Sequence, residues 1–182
     1  HTQTHNRYKA LKSEDLLDLG IVKKRNNRFL DWRLKRLLYH PDLSLFMYQM
    51  PDEPLGALDG EKWFVQNATV EPLKGTIMGY VENSIQIIGA RSDEKDSSGM
   101  YKTAPLLIVK TDEPHQYATI LHLLKLSGAE LGRRLTSVDA ATQRVAERSI
   151  KLMLKQRKRL QVEQVPKKNV WSMDESANVV RY

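Results

Sequence analysis

The sequence predicts an α+β fold: a helical N-terminal segment, a small and mostly antiparallel sheet, two C-terminal helices and an extended tail. Three observations predict it. Leucines recur at helical spacing between residues 13 and 40. β-Branched and aromatic residues cluster between turn signals over 61–111, and a long amphipathic stretch follows residue 137. At 182 residues the chain can bury one real core. Its 41% hydrophobic and 28% charged residues are ordinary for a globular protein.

Residues 1–12 are polar and aperiodic and read as a flexible lead-in; 13–165 read as one domain and 166–182 as an extended docking tail. Ser13 suits a helix N-cap, with Glu14 and Asp15 in the first turn, Leu16, Leu17 and Leu19 as the apolar face and Gly20 as the stop. The run from Lys23 to Arg28 reads as a basic loop. Leu30, Leu34, Leu37 and Leu38 then predict a helix from Arg28 to Tyr39, ended by Pro41, and residues 43–50 a short further helix. The Pro/Gly/Asp-rich stretch 51–60 is a loop.

Strands are predicted over Lys62–Glu71, Thr76–Ala90 and Pro105–Thr111, with a turn at Lys74-Gly75, a bulge at Gly79 and a hairpin break at Glu82-Asn83. Residues 91–104 read as a polar loop. Leu106–Val109 is uniformly apolar, as a strand covered on both faces should be. Thr111 or Asp112 can cap the next helix, with Pro114 in its first turn and Gly128 at its C′ position. That strand followed by a helix resembles half of a split β-α-β unit, but no return strand is evident. The last helix starts near Ser137, with Asp139 in its first turn, and runs to about Val162.

Charge is segregated along the chain. Residues 7–40 hold ten basic and four acidic side chains, 41–128 seven and twelve, and 129–168 eleven and four, within a total of +7. Such a pattern speaks to partners rather than fold. Its sharpest expression is the row Arg144, Arg148, Lys151, Lys155 and Lys158. Spacings of 4, 3, 4 and 3 keep all five on about 80° of helix surface. Ala146, Ser149, Met153 and Leu160 lie opposite, and Arg157 falls on the far side of the wheel. Like charges four apart repel by a few tenths of a kcal/mol, which a polyanion relieves. Cations repeating at about 5–6 Å can meet successive phosphates. A second basic set, Lys23, Lys24, Arg25 and Arg28, precedes Trp32, the best candidate for stacking on a base.

Catalytic and metal chemistry find no support. There is no cysteine, which removes disulfides and thiolate sites. His115 and His122 share a helix face without a third ligand, His40 precedes Pro41, and His1 and His5 stand in the lead-in. Asp93, Glu94 and Asp96 read as a solvated group, and Asp112-Glu113 suits a helix N-terminus. No phosphate-binding loop, nucleophile elbow or H-E-x-x-H is present, and no cofactor is implied. The RNA-recognition aromatic pattern, a KH-type clamp and zinc-finger spacing are also missing.

These observations give the expectation of a non-enzymatic, intracellular nucleic-acid-binding subunit of a ribonucleoprotein or similar assembly. It would take RNA rather than DNA, with other protein subunits as partners. The alternative is a self-assembling structural or matrix-type protein whose basic segments meet an acidic partner surface or an anionic membrane. Trp171, Val179, Val180 and Tyr182 in the tail are the expected interface anchors.

Overall fold

The computed structural model describes residues 11–25, 31–54, 60–75, 79–104, 106–135 and 139–163. Its order is β1 (Leu17–Arg25), β2 (Arg33–His40), β3 (Leu45–Gln49), β4 (Glu61–Phe64), β5 (Thr69–Lys74), β6 (Tyr80–Ile88), β7 (Arg91–Lys95), β8 (Tyr101–Thr103), β9 (Leu107–Lys110), α1 (Pro114–Leu126), β10 (Glu130–Leu131) and α2 (Ala140–Glu163). Short 3-10 turns precede β1, at Ser13–Asp15, and follow β10, at Arg133–Leu135. The ten strands form one curled mixed sheet, a half-barrel, in the order β10-β5-β6-β9-β1-β2-β3-β4-β7-β8. Every pairing is antiparallel except β10 with β5. The hollow of the curl is filled by Leu17, Val22, Leu37, Phe46, Val70 and Ile85 from the sheet. Ile120, Leu121 and Leu124 of α1 and Ile150 of α2 close it.

The expected helical N-terminal segment and small sheet are therefore overturned: the molecule is mostly sheet, and its N-terminal third supplies three adjacent strands. Each misreading has a local cause. In β1 the alternation Leu17 in, Asp18 out, Leu19 in is interrupted at Gly20, where φ is +87° and the register with β2 shifts. The interruption turns Val22 and Lys24 inward, so period 2 is lost across the whole segment. The residues from Lys23 to Arg25, expected in a loop, continue this strand. In β2 the last four residues are all buried, and in β3 all five are. A strand covered on both faces shows no alternation, and its leucines then imitate helical spacing.

The middle of the chain is sheet, as its composition predicts, with finer differences. Lys62–Glu71 divides into β4 and β5 at a turn where Asn67 has φ +65°. Asn83, also left-handed at φ +49°, bends β6 without breaking it, and its carbonyl accepts the Thr111 amide at 3.0 Å. The polar stretch 91–104 is a hairpin, not a loop. Asp96 organises its turn by accepting the Ser98 and Met100 amides at 2.9 and 3.0 Å. Arg91 lies over both Phe64 and Tyr101, and Lys95 over Tyr101, which joins strands that bury little apolar surface.

α1 begins at Pro114 and ends before Gly128 (φ +81°), as predicted. Thr111 Oγ1 accepts the Glu113 amide at 3.1 Å, just ahead of the helix. The return strand that the sequence conceals is β10. Its two residues lie parallel to β5, and β5 and β6 separate it from β9, so β9-α1-β10 is a complete split β-α-β unit. Ser127 at the end of α1 donates to the Leu123 carbonyl at 2.7 Å and accepts from the buried Tyr39 hydroxyl at 2.5 Å, which ties the helix to β2.

Lys24 is 5% exposed and projects into the sheet's interior, where its ammonium meets Glu61 at 2.5 Å and the Tyr48 ring at 4.7 Å. Glu61 is held from its other side by the Trp63 indole N–H at 2.8 Å. Burial and the Glu61 charge push the Tyr48 phenol well above its ordinary range. Removing Glu61's charge strands a buried cation. Glu61→Gln should therefore cost about 2–3 kcal/mol, less than a fully enclosed pair because Glu61 stays within reach of water. Lys24→Met, which keeps the stem and removes the charge, should cost clearly less. Urea unfolding of both variants checks the order, and a larger loss for Lys24→Met would refute the account.

Candidate functional site, a cationic helix face

Helix α2 is 24 residues long, about 36 Å. Asp139 caps it: its carboxylate accepts the Thr142 amide at 2.8 Å and the Thr142 hydroxyl at 2.7 Å. The amide bond first, then the hydroxyl bond, hold the Asp139 carboxyl below its usual value. The sequence places Asp139 inside the first turn; in the structure it stands just before it.

One side of α2 is docked. Ala146 and Ile150 are buried and Met153 packs on the core. Farther along, Arg157 reaches Asp42 in the β2–β3 turn at 2.7 Å, and Gln161 donates to Asp15 at 2.9 Å. Arg157, which the helical wheel excludes from the basic row, thus serves to anchor the helix. Next to this anchor lies His40, 6% exposed, with no hydrogen-bond partner at Nδ1. Burial and then the Arg157 charge lower its pKa from 6.5, against the opposing pull of Asp42 and Asp15.

The other side carries the row. Arg144, Arg148, Lys151, Lys155 and Lys158 are all exposed, and none of the five forms an ion pair among the described residues. The same outer surface also exposes apolar side chains that sequence reasoning missed. Leu152 (62% exposed) flanks the row beside Arg148, Leu154 flanks it on the other side, and Val162 (65%) continues it toward the C-terminus. Their signal was in the sequence, as apolar residues on the cationic side of the wheel.

The second basic set is dispersed. Lys23 is engaged by Asp112 at 3.0 Å, and Lys24 is buried as described. Arg25 covers the Trp32 ring at 5.1 Å, and Lys110, on the neighbouring β9, approaches the same ring at 5.9 Å. Arg28 lies outside the described residues, as do Trp171, Val179, Val180 and Tyr182. A cavity of about 610 Å³ separates Lys23 and Lys110 from Ser149 and Met153 of α2. Those two α2 residues are on the docked side, so the exposed row points away, and the two basic sets do not share one groove.

Among the described residues no three His, Asp or Glu side chains gather to hold a metal ion, and no helix is long and apolar enough to cross a membrane. No protein-family model and no curated protein sequence matches the chain. Solved structures do. The chain is similar to the carboxyl-terminal PH domain of pleckstrin, at 14% identity over 60% of this chain and 93% of that domain, with a TM-score of 0.42. It is similar also to that domain in complex with D-myo-Ins(1,2,3,5,6)P5, at 14% identity, 60% and 91% coverage and TM-score 0.42. The C-terminal PH domain of human pleckstrin follows at 15% identity, 60% and 84% coverage and TM-score 0.40. At these scores the likeness carries no argument about a ligand or a role.

The His40 environment gives a pH dependence with a definite sign. Unfolding lets His40 take up a proton near 6.5 that the folded protein resists. The stabilising contribution of a neutral His40 is therefore complete above about 6.5 and is lost progressively as the pH falls below it. Urea midpoints at pH 8, 6.5 and 5 should decline, and His40→Gln should flatten part of that decline. An unchanged slope in the variant would contradict it.

Proposed function

We propose that this protein is a non-catalytic binding module that docks on an anionic membrane surface through the outer face of α2. The observation that carries the reading is the combination on one exposed face of five cations and of Leu152 and Val162. Each basic residue near an anionic leaflet contributes about 1 kcal/mol, so the row contributes about 5 kcal/mol, a sub-millimolar affinity by itself. Burying an exposed leucine or valine adds about 1.5–3 kcal/mol. The two together reach useful affinity, and the long Lys and Arg stems let the charges stay at headgroup level while the apolar groups enter.

The RNA reading uses the same five charges, and phosphate spacing suits them equally. It has no use for Leu152 and Val162, which a phosphate backbone leaves in water. The membrane reading uses both the cations and the exposed apolar side chains Leu152 and Val162, whereas the RNA reading uses the cations alone.

Cosedimentation with vesicles of phosphatidylcholine alone, and with added phosphatidylserine, tests this directly, with single-stranded and duplex RNA titrated in parallel. Binding should require the anionic lipid. The triple variant Arg148→Gln, Lys151→Gln, Lys155→Gln should weaken it about 100-fold without changing the circular dichroism spectrum. Leu152→Ser should weaken it as well, and its effect should persist at high salt, where the electrostatic part is screened. Tight RNA binding indifferent to Leu152→Ser, with no vesicle binding, would replace this reading by the nucleic-acid one.

A further inference from the structure

Helix α2 is attached unevenly. Its first half packs on α1 and the core through Ala146 and Ile150, both buried. Its second half leans over the outer face of β1 and β2. It is held there by Met153 against the core, by Arg157 on Asp42 at 2.7 Å and by Gln161 on Asp15 at 2.9 Å. A cavity of about 320 Å³, lined by Leu16, Leu38, Met153, Arg157 and Leu160, lies between this half and the sheet. Leu160 is half-exposed beside it. The end of the helix is therefore held more by polar contacts than by packing.

His40 stands beneath those polar contacts. Leu37 and Tyr39 belong to the core that fills the curl, so Leu38 and His40 face the other way, toward α2. His40 is buried, and its Nδ1 has no hydrogen-bond partner among the described residues. The charges that face it come from three elements: Arg157 from α2, Asp42 from the β2–β3 turn and Asp15 from the 3-10 turn before β1. These are the groups that hold the end of the helix. Arg36, on the same face of β2 beyond Leu38, is tied to Asp18 at 2.8 Å. Arg157 meets Asp42 through a terminal nitrogen, and its buried Nε has no partner among the described residues. A proton on His40 puts a second cation beside Arg157 and a competitor beside Asp42.

We infer that His40 is a pH-sensitive latch beneath α2: when it takes up a proton, the end of the helix, residues 154–163, lifts from the sheet. A buried imidazolium must regain water or a partner. β2 cannot move to supply it, because it lies between β1 and β3 and pairs with both. The end of α2, with little packing of its own, gives way at lower cost. Ala146 and Ile150 keep the first half in place, so the release stops near Met153. Arg144, Arg148 and Lys151 stay on the held part, while Lys155 and Lys158 ride on the released part. The latch thus decides whether the cation row is continuous, whatever surface the row meets. Burial, then the Arg157 charge, keep protonation of His40 below 6.5, so the latch is closed at neutral pH and opens as the pH falls below that value.

The test is hydrogen–deuterium exchange of the full chain at pH 7.5 and 5.5, corrected for the intrinsic pH dependence of amide exchange. Protection of 154–163 should fall about tenfold at the lower pH, while that of 140–150 should stay within about twofold. His115, which lines the neighbouring cavity with Met153, is the control. His115→Gln should keep the response, and His40→Gln should abolish it. Arg157→Gln, which removes the closed latch, should leave 154–163 weakly protected at both pH values. In the wild-type chain, the His40 imidazole and the 154–163 amides, followed by NMR, should titrate with one midpoint, a measurement that depends on no variant. Equal protection of 154–163 at both pH values, or a loss spread evenly over 140–163, overturns the inference. So does a wild-type response in His40→Gln, full protection of 154–163 in Arg157→Gln, or a helix-end midpoint that differs from that of His40.

Discussion

The fold hangs on how strand β1 is completed. It joins the two halves of the sheet, with β2 along one edge and β9 along the other, but β9 reaches only Lys23, Lys24 and Arg25. Before that point no strand among the described residues covers the β9-side edge, and its part-buried carbonyls call for other donors. The side-chain amide of Gln116, from the first turns of α1, donates to the Leu19 carbonyl at 2.7 Å and the Ile21 carbonyl at 3.0 Å, straddling the bulge at Gly20. Thr111 holds the other end of that amide. Helix α1 therefore does two jobs at once: its apolar side fills the curl, and one polar side chain completes the strand that seams it. The left-handed backbone at Gly20 is what brings both carbonyls to one amide.

This constraint explains what could be read in the sequence and what could not. Elements with one clean period were legible: the half-apolar helix α1, with its proline start and glycine stop, and α2, with its cationic and apolar sides. Strands of the middle segment were legible from their composition. The N-terminal strands were not, because β1 changes face at its bulge and β2 and β3 are covered on both sides. The 91–104 hairpin was missed for the opposite reason: its residues are mostly exposed and polar, and it is joined by cation–π contacts rather than by burial. The five-residue row on α2 was legible outright, since it depends only on helical spacing.

The placement of α2 also separates two kinds of positive charge that a sequence shows as one. Arg157 sits among basic neighbours, yet it is 11% exposed and bound to Asp42, while Lys158 beside it is in solvent. Turning one residue along a helix moves a side chain about 100°, enough to convert a recognition charge into an anchor. The anchor matters for the face it supports. A helix held by Ile150, Met153, Arg157 and Gln161 along its length fixes the backbone from which the cations project, so no backbone ordering is left to the proposed docking step.

The segregated charge of the chain takes on a specific meaning in three dimensions. Basic ends and an acidic middle suggest that neighbouring molecules attract one another. Three of the five ion pairs among the described residues, Lys23–Asp112, Lys24–Glu61 and Arg157–Asp42, already join the basic ends to the acidic middle within one chain. The complementarity is in part consumed by folding. The α2 row stays outside every ion pair found among the described residues. Charge that has no structural partner, held on rigid elements and grouped by sign, raises the free energy of the isolated protein through self-repulsion and lowers it when an anion binds. That asymmetry is what the proposed binding role of the α2 face draws on.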